Sequence, residues 1–487
     1  YGGMDLVDQI VPDEHGGRYI VYASKYAKLD SDVADGGGTD DTEVLQAILN
    51  KAQEWGGLHL IMDGAALVRG LDVYSNTTIE CENKDCGFYL LSGSNCSIVR
   101  NAHLDFKVRH DKNITLLGGT YNHNCKGQAH HIDLDNDTEC IFGNIQCVFA
   151  MEFYGVEYLT MRDVTIRNQR TFGMLVANWY RVTMENITIE LPDIMTGENQ
   201  DGIHFWGPGQ YLNIRNIMGS AGDDFIALAP DENDGVSDIT DVVIDGVFLD
   251  DADQGIRLLS KDKGRLDRVI IKNVTGTFKS FGFYINPWFP GSGGNFGNIT
   301  FENIDLRQTT HKYDYTTPFL FRIGGSFETL TFKNISHHSP AHPLSLFDIG
   351  IPFHTPNDEH IADYSHIGAF ILDGLQIFDT NDHPDDISCI KVFCPVDSMV
   401  IRNSHIRKSS STVGCFIETT EHADIGSIHI SGLTMDGKVN LINHPAGKIG
   451  TVYLNDILCT NAAEFLIAGD GEIKNLHSSG IFGAEIK

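Results

Sequence analysis

The chain has 487 residues with 35 Lys and Arg against 66 Asp and Glu, a formal net charge of −31. That charge argues against nucleic acid and anionic lipid as partners, because like charge repels. No stretch approaches the roughly 18 to 20 apolar residues of a membrane span. At 41% hydrophobic and 10% aromatic residues, with 50 glycines, the composition suits an all-β, turn-rich protein with a substantial core.

The start, Tyr1-Gly2-Gly3-Met4, is consistent with a processed N-terminus, which would favour a secreted or periplasmic protein, or with Met4 as native start, which would favour the cytoplasm. Ten cysteines without paired metal-type spacing are too sparse for a disulfide scaffold. They read as buried thiols, although Cys81 and Cys86 stand close enough in sequence to bridge.

The first clear element is a helix. Asp40-Asp41-Thr42-Glu43 offers an N-cap and a capping-box glutamate, and Val44, Leu45, Ile48, Leu49 and Ala52 form one apolar face. Gly56-Gly57 stop it. A five-residue pattern then recurs: apolar, any, apolar, any, and last Asn, Asp or Gly. It ends at Asp163, Asn186, Asn216, Gly246, Asn273, Asn303, Asn334, Gly374, Asn403, Gly432 and Asp456, at spacings of 23, 30, 30, 27, 30, 31, 40, 29, 29 and 24. The alternation is that of a half-buried strand. The last residue is of a type that tolerates the left-handed backbone of a tight turn. One such strand per coil predicts a right-handed parallel β-helix, a solenoid whose open end the N-terminal helix caps. We expect a single domain, with residues 1–60 as entry segment and capping helix and 61–487 as coils. The segments 305–318, 350–367 and 379–388 read as projecting loops.

A second register aligns TFGMLV, QDGIHFW, DDFIAL, QGIRLL and FGFYIN at Gly173, Gly202, Phe225, Gly255 and Gly282. It puts His204, Ala227, Arg257 and Tyr284 in one outward column. Asp201, Asp224 and Gln254 form another, with Asp223 beside it. Three carboxylates on adjacent coils repel, so at least one pKa should rise, and the fold gains nothing structural from them unless a metal neutralises them. Hydrolysis of a glycosidic bond needs such a set: an acid for the leaving oxygen and a carboxylate for water. Asp250, Asp251 and Asp253 read as a solvated acidic turn, with calcium ligation as the other reading. His130 and His131 read as loop residues. No metal and no cofactor is called for.

Here a family resemblance enters. NQDG (Asn199–Gly202) resembles the NTD motif of the polygalacturonase-like glycoside hydrolases of family 28, and Gly222-Asp223-Asp224 matches their GDD motif. The preceding coils, VEYLTMRDVTIRNQRTFGMLV and VTMENITIELP, are similar in style, and GGGTDDTEVLQAIL resembles the entry segment of pectin-degrading β-helix enzymes. The resemblance runs from about 145 to 290 and is architectural elsewhere. It implies Asp223 as general acid, Asp201 and Asp224 as holders and activators of the attacking water, Asn199 as their support, and inversion at the anomeric carbon. Two positions depart from the family. Its GHG is here Asp253-Gln254-Gly255, and its RIK is Tyr284-Ile285-Asn286. Arg257 stands one coil early in the column, where it would partly replace the lost cations. His204, Trp206, Gln254, Arg257, Tyr284, Asn286 and Trp288 are the expected sugar contacts, the aromatic ones as a stacking platform. A carbohydrate is the expected partner; the oligomeric state is open. A β-helix lyase or uronate epimerase, and a non-catalytic carbohydrate-binding β-helix, remain as alternatives.

Overall fold

The computed structural model describes residues 10–13, 19–129, 148–195, 199–287, 293–309, 318–338, 346–350, 365–379, 388–409 and 413–487. The protein is a right-handed parallel β-helix with an N-terminal helix. Two compact units are distinguished, one of Tyr1–Asn233 with Val243–Phe248, the other of Asp234–Val242 with Leu249–Lys487.

In the first unit, helix Thr42–Trp55 buries Leu45, Ile48, Leu49 and Ala52, and Gly56 ends it with φ of 76°. The expected capping box does not form. Asp41 is the N-cap residue, but its carboxylate accepts Lys28 N and Leu29 N, both at 2.9 Å, so it pins the preceding loop instead. Gln46 ties the helix to the first coils: its Nε2 donates to Asp72 O at 3.1 Å and its Oε1 accepts Asp72 N at 2.8 Å. From there the coils stack in parallel. Leu159 pairs with Val182 and Val182 with Leu212; Met161 pairs with Met184 and Met184 with Ile214.

The second unit repeats the plan. Ile271, Phe301, Phe332, Leu372, Ile401, Ile430 and Leu454 stand in register on successive coils. Its interior is filled by ring stacks. Phe283 lies 4.6 Å from Phe321, and Phe321 lies 5.0 Å from Phe347, with planes within 7° and 4° of parallel. A parallel stack lets identical side chains repeat at the coil rise of about 4.8 Å.

All eleven residues that end the five-residue pattern have positive φ, from 53° at Asp456 to 85° at Gly246. This explains the restriction to Asn, Asp and Gly. The amides add a ladder: Asn186 Nδ2 donates to Asp163 Oδ1 at 2.9 Å in the first unit, and Asn334 Nδ2 to Asn303 Oδ1 at 2.7 Å in the second.

Some expectations shift. Asp250–Asp253 belong to strand Ile239–Leu258, so no acidic turn exists there. Asp253 is buried and accepts Ser280 Oγ at 3.0 Å. Asp305–Gln308 and His366–Ile367, expected in loops, are strand. The rest of the loop segment 350–367 beyond Gly350 and Ser365, and most of 305–318 and 379–388, lie outside the described residues, as do His130, His131 and Trp288. Cys81 and Cys86 are both buried free thiols.

Candidate active site

The site begins with glycine. A Cβ on Gly202 would sit 2.3 Å from Phe225 O, and one on Gly173 2.6 Å from Gly202 O. Only bare backbone lets these coils close. Gly202 N then donates to Asp224 O at 2.8 Å and Gly173 N to Asp201 O at 2.9 Å. Ile203 pairs with Ile226 and His204 with Ala227, so Asp201 and Asp224 occupy equivalent positions on neighbouring strands, one coil rise apart. Asp223 and Asp224 are half-buried, as is Asn199.

Asp201 is the buried member, 2% exposed. Its Oδ2 lies 2.8 Å from His204 Nδ1, while its Oδ1 has no hydrogen-bond partner among the described residues. His204 Nε2 lies 2.7 Å from Glu232 Oε2, and the Trp206 indole N–H donates to the same oxygen at 2.8 Å. Phe172 stacks on the imidazole at 4.5 Å with planes 5° apart. The backbone is held as well: Gln169 Nε2 donates to Asp201 O at 3.0 Å, and Gln200 Nε2 to Gln169 O at 2.8 Å. His204 is thus fixed in a plane, with a carboxylate at each nitrogen.

The electrostatics follow. Burial pushes the Asp201 carboxyl up to about 6; the hydrogen bond and charge of His204 oppose this, and the charge of Glu232 adds to it. Burial pulls His204 down, but the Glu232 charge and the hydrogen bonds to Asp201 and Glu232 outweigh it and lift the imidazole to about 10. At neutral pH, His204 is a cation between two carboxylates, and Asp201 is ionised with one oxygen unengaged.

Sequence reasoning found Asp201, Asp224 and His204 on neighbouring strands but missed Glu232. Glu232 lies 28 residues beyond His204, outside any repeat, and its only signal is an acidic residue shortly after the Gly-Asp-Asp coil. Trp206 is 2% exposed and serves as a donor to Glu232, so its ring offers no open stacking face.

The second unit holds the other expected contacts. Arg257, Tyr284 and Asn286 are buried, and Gln254 is half-buried. The Arg257 guanidinium lies 4.0 Å from the centre of the Tyr284 ring, which Phe281 and Phe319 pack against from other sides. Arg322, in register with Tyr284 on the next strand, escaped the sequence reading; its guanidinium lies 5.0 Å from the Phe319 ring. Among the described residues, no group of three or more His, Cys, Asp or Glu is arranged to hold a metal ion.

Residues 98–314 match the sequence model of glycosyl hydrolases family 28. The match takes in Asp201, Asp223 and Asp224, and supports hydrolysis of glycosidic bonds in a carbohydrate substrate. Among solved structures, a hyperthermoactive exopolygalacturonase from Thermotoga maritima is 13% identical over 93% of this chain and 94% of its own, with a TM-score of 0.46. The family 28 exopolygalacturonase of Yersinia enterocolitica is also 13% identical, over 95% and 79%, with a TM-score of 0.42. A double mutant of the tailspike protein of E. coli bacteriophage HK620 is 11% identical over 81% and 73%, with a TM-score of 0.52, a likeness of fold. None of the curated proteins compared matches the sequence.

Proposed function

We propose that this protein is an inverting glycoside hydrolase acting on a plant- or microbe-derived oligo- or polysaccharide, with Asp201, Asp223 and Asp224 as its catalytic residues. The observation that carries the reading is the in-register pair Asp201 and Asp224, with Asp223 beside it, inside the segment that matches family 28. Asp223, half-buried, protonates the leaving oxygen. Water is held between Asp224 and the unengaged Oδ1 of Asp201, and gives up its proton to this carboxylate pair as it attacks the anomeric carbon from the opposite face. Inverting pairs need a carboxyl separation of roughly 6.5 to 9.5 Å to admit that water.

His204 has a positioning role in this scheme. Its charge keeps Asp201 ionised despite burial, and its bond to Oδ2 leaves Oδ1 for water. Glu232 in turn keeps His204 charged. The scheme is checked by the anomeric configuration of the first product, read by proton NMR in the first minutes of reaction. Inversion is expected; a retained configuration sinks the assignment.

The substrate is expected to be a neutral or sparsely charged glycoside. The family's Arg and Lys pair is absent at Tyr284 and Asn286. A carboxylate-reading fork needs a guanidinium or ammonium presented to the ligand. The measurement is kcat/KM on oligogalacturonate against neutral oligosaccharides. At least tenfold preference for a neutral one is expected; efficient cleavage of oligogalacturonate overturns the preference without touching the hydrolase assignment.

A further inference from the structure

The first unit has a second row of left-handed turn residues, on an edge other than the Asp163–Asn186–Asn216 ladder. Its members stand in register on five successive coils: Asn76, Asn113, Tyr158, Arg181 and Tyr211. Their φ angles are 61°, 56°, 59°, 58° and 65°. The first two are asparagines, joined by a hydrogen bond from Asn113 Nδ2 to Asn76 Oδ1 at 2.8 Å. The last three are bulky residues in a backbone region where a bulky side chain is an outlier. The ladder on the same coils keeps Asp and Asn, so the solenoid does not require this choice. Strain of this kind persists where something other than folding selects the residue.

The side chains show what they offer. Tyr158 and Tyr211 are 46% and 42% exposed. Tyr180 lies between them, 6.0 Å from Tyr158 and 5.6 Å from Tyr211, edge to face with both. The Arg181 guanidinium sits 5.5 Å from the Tyr180 ring and 5.0 Å from the Tyr211 ring. Arg109 adds a second cation 5.8 Å from Tyr180. These contacts restrict the rings, which lowers the entropy lost on binding. Beside them runs a row of outward polar side chains, Thr115, Thr160, Thr183 and Asn213, also in register. At the asparagine end the same edge opens into a cleft of about 480 Å³, whose lining includes Tyr19, Trp55, His59, Asn76 and Asn113.

We infer that this edge is a second carbohydrate-binding surface, a track for a glycan chain lying across successive coils and separate from the carboxylate cluster. Four coil rises from Asn76 to Tyr211 give a track about 19 Å long. Exposed tyrosine rings suit the C–H faces of sugar rings, and the hydroxyl, amide and guanidinium groups alongside suit their hydroxyls. The choice of a glycan as ligand rests on the carbohydrate-active reading; the existence of a built surface does not.

The test uses the whole chain carrying Asp223→Asn, so that polymer is bound without being cut, with and without Tyr158→Asn and Tyr211→Asn. Asparagine adopts the left-handed conformation easily, so the double change should leave the melting temperature equal or higher while removing both rings. Affinity electrophoresis through gels containing xyloglucan, arabinan or polygalacturonate reads binding, and the three polymers separate neutral from anionic ligands. At least one polymer should retard the Asp223→Asn chain, and the tyrosine changes should weaken that binding at least tenfold. With Asp223 intact, the tyrosine changes should leave turnover of short soluble oligosaccharides unchanged. Unaltered retardation, no retardation by any of the three, or a fall in melting temperature parallel to the loss of binding would each overturn the track. Absence of turnover by the parent chain would sink the hydrolase reading and leave the binding result standing.

Discussion

The two units use the same outward strand position in opposite ways. In the first, Leu175, His204 and Ala227 follow one another, and the histidine is buried between two carboxylates. In the second, Tyr284, Arg322, Asp348, Lys391 and Glu418 follow one another, and charge alternates with charge or with rings. Lys391 and Glu418 offset one another across adjacent coils, and their side chains remain about one-third and one-quarter exposed. In the first unit's cluster Asp201 and Glu232 are nearly fully covered, with His204 between them. Solenoid packing alone does not favour that, because burying charge costs several kcal/mol per ion. The difference fits the proposal that the first unit carries the chemistry.

The sharpest way to break this contrast is to remove the acid. Asp223→Asn should lower kcat by about 10² to 10⁴, the usual contribution of a general acid, with the melting temperature unchanged because the side chain is half-exposed. Activity near the parent's would mean that the half-exposed aspartate is a turn residue and that the first unit is no more chemical than the second. The matching change in the second unit is Phe321→Ala. Phe321 is fully buried in a ring stack between Phe283 and Phe347. Its loss should cost about 3 to 5 kcal/mol of stability, read by denaturant unfolding, while kcat measured well below the melting temperature stays within a few fold.

Much of this was legible in the sequence for a simple reason. A turn that demands positive φ restricts residue choice, so Asn, Asp and Gly at the ends of Leu-Thr-Met-Arg-Asp and its relatives wrote the coil period directly into the text. Gly173 and Gly202 did the same for the register that aligns Asp201 with Asp224, since no side chain fits there. What escaped has the opposite property. Glu232 reaches His204 from a turn outside the repeat, where no period predicts a partner. Tyr158, Arg181 and Tyr211 adopt left-handed turns with residue types that normally avoid them, so the pattern that reveals the other ladder conceals this one. The burial of Arg257 and Tyr284 depends on the neighbouring Phe281 and Phe319, whose packing alternation alone does not encode. Asp250–Asp253 looked like a turn by composition, yet strand pairing absorbed them.

The buried histidine makes a pH prediction whose sign is fixed. Folded His204 keeps its proton to about pH 10, whereas an unperturbed imidazole loses it near 6.5. Between those values the folded state binds more protons, so this group's contribution to stability is complete below about 6.5 and is lost as pH rises toward 10. In the proposed mechanism Asp201, raised to about 6, assists water only when ionised, so turnover should fall as the pH drops through that value. His204→Gln removes the charge and the charged hydrogen bond that hold Asp201 down. Its acid limb should therefore move to higher pH, and its melting temperature should decline less between pH 7 and 10 than the parent's. Glu232→Gln should also flatten that decline, because it withdraws the charge that lifts His204. A parent-like pH–rate profile in His204→Gln would show that the imidazole merely fills space.

The smallest effect tests the other side of the comparison. Lys391 Nζ and Glu418 Oε1 lie 3.3 Å apart, and Ser388 Oγ also donates to the glutamate. Both side chains reach water, so the ions are only partly desolvated and salt screens their attraction. Exposed pairs of this kind are typically worth about 0.2 to 1 kcal/mol. A double-mutant cycle with Lys391→Met and Glu418→Gln should return a coupling in that range, falling further at about 1 M salt. Turnover should not change. The same type of contact between His204 and Glu232, with both side chains almost fully covered, has no such relief from solvent, and removing one partner there leaves a buried charge behind. A coupling above about 2 kcal/mol for Lys391 and Glu418, or one indifferent to salt, would mean that the second unit's column is as desolvated as the first's. The contrast between the two columns would then have to be drawn from Asp201 and Glu232 alone.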